Sequence, residues 1–143
     1  MRGLNRVVTV LAIAACALAW STAWAQHEEQ ETKAVEAAKA WVALVDAAKF
    51  AESWDAAGAM FRERVAREEW VKMLQVNRTP LGKVVSRALK SKQYNTSLPG
   101  VPDGSYVVTQ FDTSFESKKA AVETVTMVLE KDGAWRMVGY FIK

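Results

Sequence analysis

The chain has 143 residues, a formal net charge of +3, and only one histidine and one cysteine. Arg2 and Arg6 supply two of these positive charges from a predicted signal peptide, so the rest of the chain is near +1 and gives no reason to expect a nucleic-acid partner. Cys16 lies in the same signal peptide, and His27 lies in a polar N-terminal segment. Catalytic Ser-His-Asp and Cys-His groups are therefore excluded, and neither a metal site nor a cofactor is predicted.

The first 25 residues have the pattern of a secretory signal peptide. Arg2 and Arg6 precede an apolar stretch at residues 7–20, and Ala23-Trp24-Ala25 supplies small residues at the cleavage positions. The apolar stretch is shorter than the ~20 residues that a membrane-spanning helix needs. We therefore predict cleavage after Ala25, no membrane span, and a periplasmic or secreted protein.

A lipid anchor at Cys16 is the alternative to cleavage after Ala25. Ile13-Ala14-Ala15-Cys16 resembles a lipoprotein box, in which the cysteine becomes the acylated first residue. Against this alternative, residues 17–20 continue the apolar stretch where a lipoprotein normally turns polar.

Residues 26–143 have the length of a single exported domain, and apolar spacing predicts three helices in its N-terminal part. These helices span about residues 31–48, 50–61 and 66–78. Thr79-Pro80-Leu81-Gly82 ends the third helix. Trp54 lies at the centre of the second apolar stripe, which places it in the predicted core.

From Lys83 onward, β-branched and aromatic residues predict four strands. The strands span residues 84–94, 106–115, 121–130 and 135–142. Asp132-Gly133 predicts a two-residue type I′ hairpin, which would pair Val125 with Tyr140. The predicted fold class is therefore α+β, with three helices packed on an antiparallel sheet of about four strands.

The turn between the second and third predicted strands decides which of their side chains share a face of the sheet. A turn centred on Ser117-Lys118 would place Asp112 opposite Glu123. In this register both faces are apolar, whereas three helices can cover only one of them. We therefore predict a homodimer or a protein partner on one face. That face would carry Phe111, Phe115, Trp135, Met137 and Phe141.

Five segments carry a pattern that is more specific in combination than singly. They are residues 41–54, Arg78-Thr79-Pro80-Leu81-Gly82, Ser86-Arg87, residues 98–106 and residues 132–142. Together they resemble a bacterial exported family, domain of unknown function 4019, and the element order resembles the cone-shaped fold of ketosteroid isomerase and nuclear transport factor 2. The resemblance implies a strongly bent sheet but no activity and no catalytic residue. One departure is Ala48, where the resemblance leads us to expect glycine, so the bend there should be softer.

Asp112 and Glu123 are candidates for general acid–base catalysis. Two carboxyl groups side by side on an apolar face raise the pKa of one of them, as such catalysis requires. Tyr140 would be their companion by analogy with enzymes of the cone fold. The alternative is that both acids lie in solvent or pair with Lys118 and Lys119.

Arg78 and Arg87 flank the Pro80-Leu81-Gly82 turn and could bind a carboxylate or a phosphate. They could equally pair with local acids or cap helix carbonyls. With Trp54 and Tyr106 they form the predicted ligand-binding set, because aromatic side chains suit an apolar ligand. Aromatic residues at helical or strand spacing are also typical of an ordinary core, so both interpretations stay open.

Three functions fit these observations. The first is a non-catalytic module that binds a small apolar or amphipathic molecule or a protein partner. The second is a cofactor-free isomerase or hydrolase that uses a pocket carboxylate. The third is an accessory subunit of an envelope complex.

Overall fold

The computed structural model describes the backbone of residues 5–143 and the side chains of residues 22–143. The helices are α1 (Asn5–Asp46), α2 (Phe50–Asp55), α3 (Ala59–Arg64) and α4 (Arg67–Asn77), followed by a 3-10 helix at Thr79–Leu81. The strands are β1 (Val84–Asn95), β2 (Tyr106–Phe115), β3 (Ala121–Leu129) and β4 (Trp135–Ile142). Arg2, Arg6 and the possible lipid anchor at Cys16 lie outside the residues with described side chains.

The strands form one antiparallel sheet in the order β1-β2-β3-β4. This arrangement confirms the predicted α+β class and the four-stranded sheet. In the part of the chain that the structure describes, no helix combines the length and the apolar character needed to cross a membrane.

Residues 5–143 contain four α-helices where the sequence predicts three. α1 continues without a break through the predicted cleavage site, and the predicted second helix is divided into α2 and α3. Gly58 lies at this division, where its N–H donates to the Met137 carbonyl oxygen at 2.7 Å. A Cβ atom on Gly58 would lie 2.9 Å from Val138 Cγ1, so this close approach to β4 requires glycine and interrupts the helix.

The C-terminal end of α1 has a Schellman cap with alanine in the left-handed position. The Lys49 N–H donates to the Leu44 carbonyl at 2.9 Å, and the Ala48 N–H donates to the Val45 carbonyl at 3.0 Å. Ala48 has a φ of 57°. The expectation of a softer bend is wrong, because Ala48 adopts the conformation that glycine reaches without steric cost.

The register of β2 and β3 differs by one residue from the prediction. Asp112 lies opposite Val122, and Glu123 lies opposite Phe111. The predicted pairing of Asp112 with Glu123 is therefore wrong, and the two acids lie on opposite faces. A shift of one residue exchanges the faces of a whole strand, because side chains alternate along it.

A displaced turn and a bulge beside it together produce this shift. Phe115 and Lys118 exchange both backbone hydrogen bonds, so the turn is centred on Glu116-Ser117, which alone would move the register by two residues. Lys119 and Ala120 then lie opposite the single residue Ser114, and this bulge leaves a net shift of one residue. The Glu116 N–H donates to the Lys83 carbonyl at 2.9 Å, and the Ser117 N–H donates to the Leu81 carbonyl at 3.0 Å. The turn is thus held by residues distant in sequence, which a local turn rule does not include.

The hairpin between β3 and β4 has a three-residue loop, residues 131–133, and the predicted two-residue type I′ turn is wrong. The Glu130 N–H donates to the Ala134 carbonyl at 2.9 Å, and Gly133 has a φ of 83°. A bulge at Val138 then restores the predicted pairing of Val125 with Tyr140.

One face of the sheet packs against the helices, and the other is largely polar. The buried helix-facing residues are Val107, Phe111, Phe115, Val125, Met127 and Met137. Small and polar residues on the opposite face include Ser86, Ser91, Gln110, Thr124 and Thr126. The prediction that both faces are apolar is wrong. Phe111, Phe115 and Met137 are core residues, Trp135 is partly buried and Phe141 is 49% exposed, so the reason for placing a second subunit on this face is lost.

The core includes an aromatic cluster of Trp41, Phe61 and Trp70. The Trp70 ring centroid lies 6.2 Å from that of Trp41 and 5.0 Å from that of Phe61. The Trp41 indole N–H donates to the Ser53 carbonyl at 2.9 Å, and the Trp70 indole N–H donates to Ser53 Oγ at 3.0 Å. Trp54 packs at the edge of this core and is partly buried.

Candidate functional site

Glu123 is the centre of a charged cluster. The cluster consists of Asp46, Arg78, Arg87 and Glu123. The Glu123 side chain is fully buried, at 0% exposure, because its register places it on the helix-facing side of β3. Arg87 Nε donates to Glu123 Oε1 at 2.8 Å, and Thr113 Oγ1 donates to the same oxygen at 2.6 Å. Tyr140 Oη donates to Glu123 Oε2 at 2.5 Å, so hydrogen bonds occupy both carboxylate oxygens.

Asp46, the last residue of α1, joins the two arginines of the charged cluster. Arg87 Nη1 lies 2.7 Å from Asp46 Oδ2, and Arg78 Nη2 lies 3.2 Å from Asp46 Oδ1. A carboxylate at the C-terminal end of a helix is unfavourable toward the helix dipole, and the two guanidinium groups offset this effect. The two acids and two arginines leave the charged cluster formally neutral.

Arg78 follows α4 and is almost completely buried. Its Nη1 donates to the Gly82 carbonyl at 2.7 Å, and its guanidinium carbon lies 4.5 Å from the Phe115 ring centroid. Its Nε is buried and has no hydrogen-bond partner among residues 22–143. Leaving such a donor unpaired costs about 1–3 kcal/mol.

The charged cluster fixes the protonation of Arg87 and of the adjoining Tyr140 at neutral pH. Burial raises the pKa of Tyr140 well above its ordinary value, and the adjacent charge of Glu123 raises it further. Burial lowers the pKa of Arg87, but the hydrogen bonds to Asp46 and Glu123 outweigh burial, and the pKa is raised. Tyr140 is therefore a neutral donor and Arg87 a permanent cation.

A cleft of about 360 Å³ lies beside the charged cluster, between α4, the 3-10 helix and the end of β4. The apolar lining residues are Met73, Leu74, Leu81, Phe141 and Ile142, and the polar ones are Asn77, Arg78, Lys118 and Tyr140. None of these lining residues is acidic. Met73 is 42% exposed, so apolar surface continues to the mouth of the cleft. The volume is near the lower end of the range for small-molecule sites, ~300–1,000 Å³.

The structure brings together four of the residues that the sequence singles out: Arg78, Arg87, Glu123 and Tyr140. The predicted proximity of Tyr140 to Glu123 is confirmed by their hydrogen bond. Asp112 is not part of the site, because it is exposed on the opposite face and lies 3.2 Å from Lys90 Nζ. The pair of carboxyl groups on which the acid–base hypothesis depends is absent from the described structure.

Trp54 and Tyr106, the other two predicted ligand-binding residues, do not line this cleft. The Trp54 indole N–H donates to the Val65 carbonyl at 2.8 Å. Tyr106 is buried beneath the loop before β2, and its hydroxyl donates to the Pro102 carbonyl at 2.6 Å. In the described structure both residues support local packing.

Sequence reasoning missed Asp46 and Thr113 as members of the site. An acid in the last turn of a predicted apolar helix is a signal that could have identified Asp46, because the helix dipole disfavours it there. Thr113 carries no comparable signal, since its contact with Glu123 depends on the register of β2 and β3. Within the described residues, no group of three or more histidine, cysteine or acidic side chains could hold a metal ion.

A family model matches the part of the chain that holds the site. The model of a family described as protein of unknown function (DUF4019) matches residues 37–140. None of the curated proteins shows significant similarity to the chain. The matched range contains the whole charged cluster and all of the polar residues that line the cleft.

Proposed function

The chain belongs to the family of proteins of unknown function DUF4019, and we propose that it is an exported, non-catalytic module that binds a small amphipathic molecule in the cleft. The observation that carries this proposal is the composition of the lining, in which five apolar side chains accompany four polar ones. Ligand sites of this kind combine an apolar wall with a few polar groups that orient the ligand. A molecule with an apolar chain and one polar head would satisfy both parts.

The contacts of Glu123 favour binding over acid–base catalysis. A general base needs an oxygen within hydrogen-bond reach of the substrate proton. Glu123 does not line the cleft, and both of its oxygens already accept hydrogen bonds from Arg87, Thr113 and Tyr140. Tyr140 does line the cleft, but its hydroxyl proton is directed to Glu123. An isomerase or hydrolase would have to break this set of contacts before each reaction.

Export is part of the proposal and is supported by the signal pattern of residues 1–25. Residues 22–29 are all exposed, so cleavage after Ala25 would remove none of the described core. The resemblance to an exported family with a cone-shaped fold agrees with this location. N-terminal sequencing of the protein from the periplasmic fraction is expected to begin at Gln26, whereas an acylated Cys16 would identify an anchored protein.

Binding of a medium-chain amphiphile, followed by NMR, tests the proposed function. Decanol is expected to produce saturable amide shifts at residues that line the cleft, such as Asn77 and Ile142. Met73→Trp should weaken this binding, because Met73 lines the cleft. Val76→Trp is the matched control, since Val76 is an exposed residue of the same helix outside the lining. Shifts that do not saturate, or that map elsewhere, would reject the cleft as the binding site.

A further inference from the structure

Building on the proposed function, we infer that the ligand is a single-chain amphiphile with a carboxylate head, which binds beside Lys118 and Arg78. The inference depends on the charges around the cleft, on the donors that are already occupied, and on the size of the apolar part.

The cleft has one positive charge that the protein does not balance. Arg78 and Arg87 are matched by Asp46 and Glu123 within the charged cluster. Lys118 lines the cleft, is partly buried, and forms no ion pair with any side chain among residues 22–143. Because no acid lines the cleft, an anionic head group would find a partner there that a neutral one lacks.

The occupied donors favour a monoanion over a multiply charged group. Arg78 Nη1 and Nη2 already donate to Gly82 and Asp46, so this arginine cannot offer its full fork to a phosphate. The Asn77 amide nitrogen donates to the Met73 carbonyl at 2.9 Å. The Lys118 ammonium therefore remains as the main free donor group, which suits a single carboxylate.

The apolar part of the cleft sets the length of the chain. If each heavy-atom group takes about 30 Å³, similar to one water in the liquid, the cleft holds roughly a dozen groups. Decanoate has this size. Its chain would lie against Leu81, Phe141 and Ile142, while its carboxylate would reach Lys118.

Calorimetric titration of the protein expressed from the full chain tests the inference with decanoate and decanol. We expect decanoate to bind more tightly than decanol, and Lys118→Glu to weaken decanoate about tenfold while leaving decanol within about twofold. Lys119→Glu is the matched control, because Lys119 is exposed and does not line the cleft, yet the change in net charge is the same. It should leave both affinities nearly unchanged.

The possible results distinguish failure of the carboxylate inference from failure of the proposed function. If decanol binds in the cleft as well as decanoate does, the carboxylate inference is overturned while the proposed function stands. Equal weakening of decanoate by Lys118→Glu and Lys119→Glu would also overturn the inference, because it would show a general effect of charge. If neither compound binds in the cleft, both proposals fail.

Discussion

The aromatic cluster and the charged cluster fill two regions between the helices and the sheet in different ways. The aromatic cluster joins residues 41–70 of the helical segment, and both of its indole N–H groups bind one residue, Ser53. The charged cluster joins Asp46, Arg78, Arg87 and Glu123, which come from the helices and from two strands. Tyr140 connects the two regions, since its ring packs against Trp41 at 5.1 Å and its hydroxyl binds Glu123.

The two clusters therefore stabilise the fold in two different ways. Burial of large rings depends on apolar surface and shape, so it changes little with pH. A buried carboxylate is stable only while every partner is in place, because the cost of removing its charge from water is large. Stability should therefore depend on side-chain volume in the aromatic cluster. In the charged cluster, replacement of a single atom should be enough to lower it.

Removal of a ring from the aromatic cluster should have the largest effect. Trp70→Ala is expected to lower the free energy of unfolding by about 4 kcal/mol, because it leaves a cavity next to Trp41 and Phe61. Urea denaturation measures this change. Val76→Ala on the exposed side of the same helix should cost less than about 0.5 kcal/mol. Similar losses in both variants would show that α4 presents the wrong face to the core.

Removal of the charge from Glu123 should have the next largest effect. Glu123→Gln is expected to cost about 3 kcal/mol, since Arg87 loses a charged partner and the amide keeps only one acceptor oxygen. Its NH2 group must then face either the Tyr140 hydroxyl or the donors of Arg87 and Thr113. Asp112→Asn is the matched control in the adjacent strand, where the acid is exposed, and should change stability little. An equal loss in the two variants would contradict the observed register.

Removal of one hydroxyl links stability to pH. Tyr140→Phe should cost about 2 kcal/mol at neutral pH, because one oxygen of buried Glu123 loses its donor. The pKa of Tyr140 is raised by folding, so this stabilisation is fully present below the ordinary tyrosine pKa of ~10 and is lost as the pH rises above it. Urea denaturation from pH 7 to 11.5 should show the difference between parent and variant shrinking above pH ~10. A constant difference would mean that Tyr140 ionises normally in the folded protein.

Relief of backbone strain at the end of α1 should have the smallest effect, and it should be stabilising. Ala48→Gly is expected to raise the free energy of unfolding by about 1 kcal/mol, because glycine adopts the left-handed conformation of the cap without a Cβ clash. Thermal denaturation would measure this gain. Ala47→Gly, at the preceding position, should destabilise the protein; a gain there as well would exclude relief of strain at Ala48 as the cause.

The comparison also explains which features the sequence could predict. Apolar periodicity predicted the helices that hold Trp41 and Trp70, and β-branched residues predicted all four strands, because these patterns are local. The position of Glu123 could not be predicted in the same way, since the turn before β3 is fixed by hydrogen bonds to Leu81 and Lys83. That single error exchanged the faces of β2 relative to β3 and placed Phe111 on the face assigned to a second subunit or partner. Tyr140 was nonetheless predicted beside Glu123 from the fold analogy.

The bulge at Val138 gives β4 a residue that the pairing with β3 does not need. In a regular strand, residues of one parity share a face, yet Met137 and Tyr140 differ in parity and both face the helices. Deleting Val138 alone would leave Met137 and Tyr140 two positions apart, as in a regular strand, so both side chains would keep facing the helices. A variant that lacks Val138 should therefore keep Met137 in the core and the hydrogen bond from Tyr140 to Glu123, so β4 can lose a residue at this position without exchanging its faces.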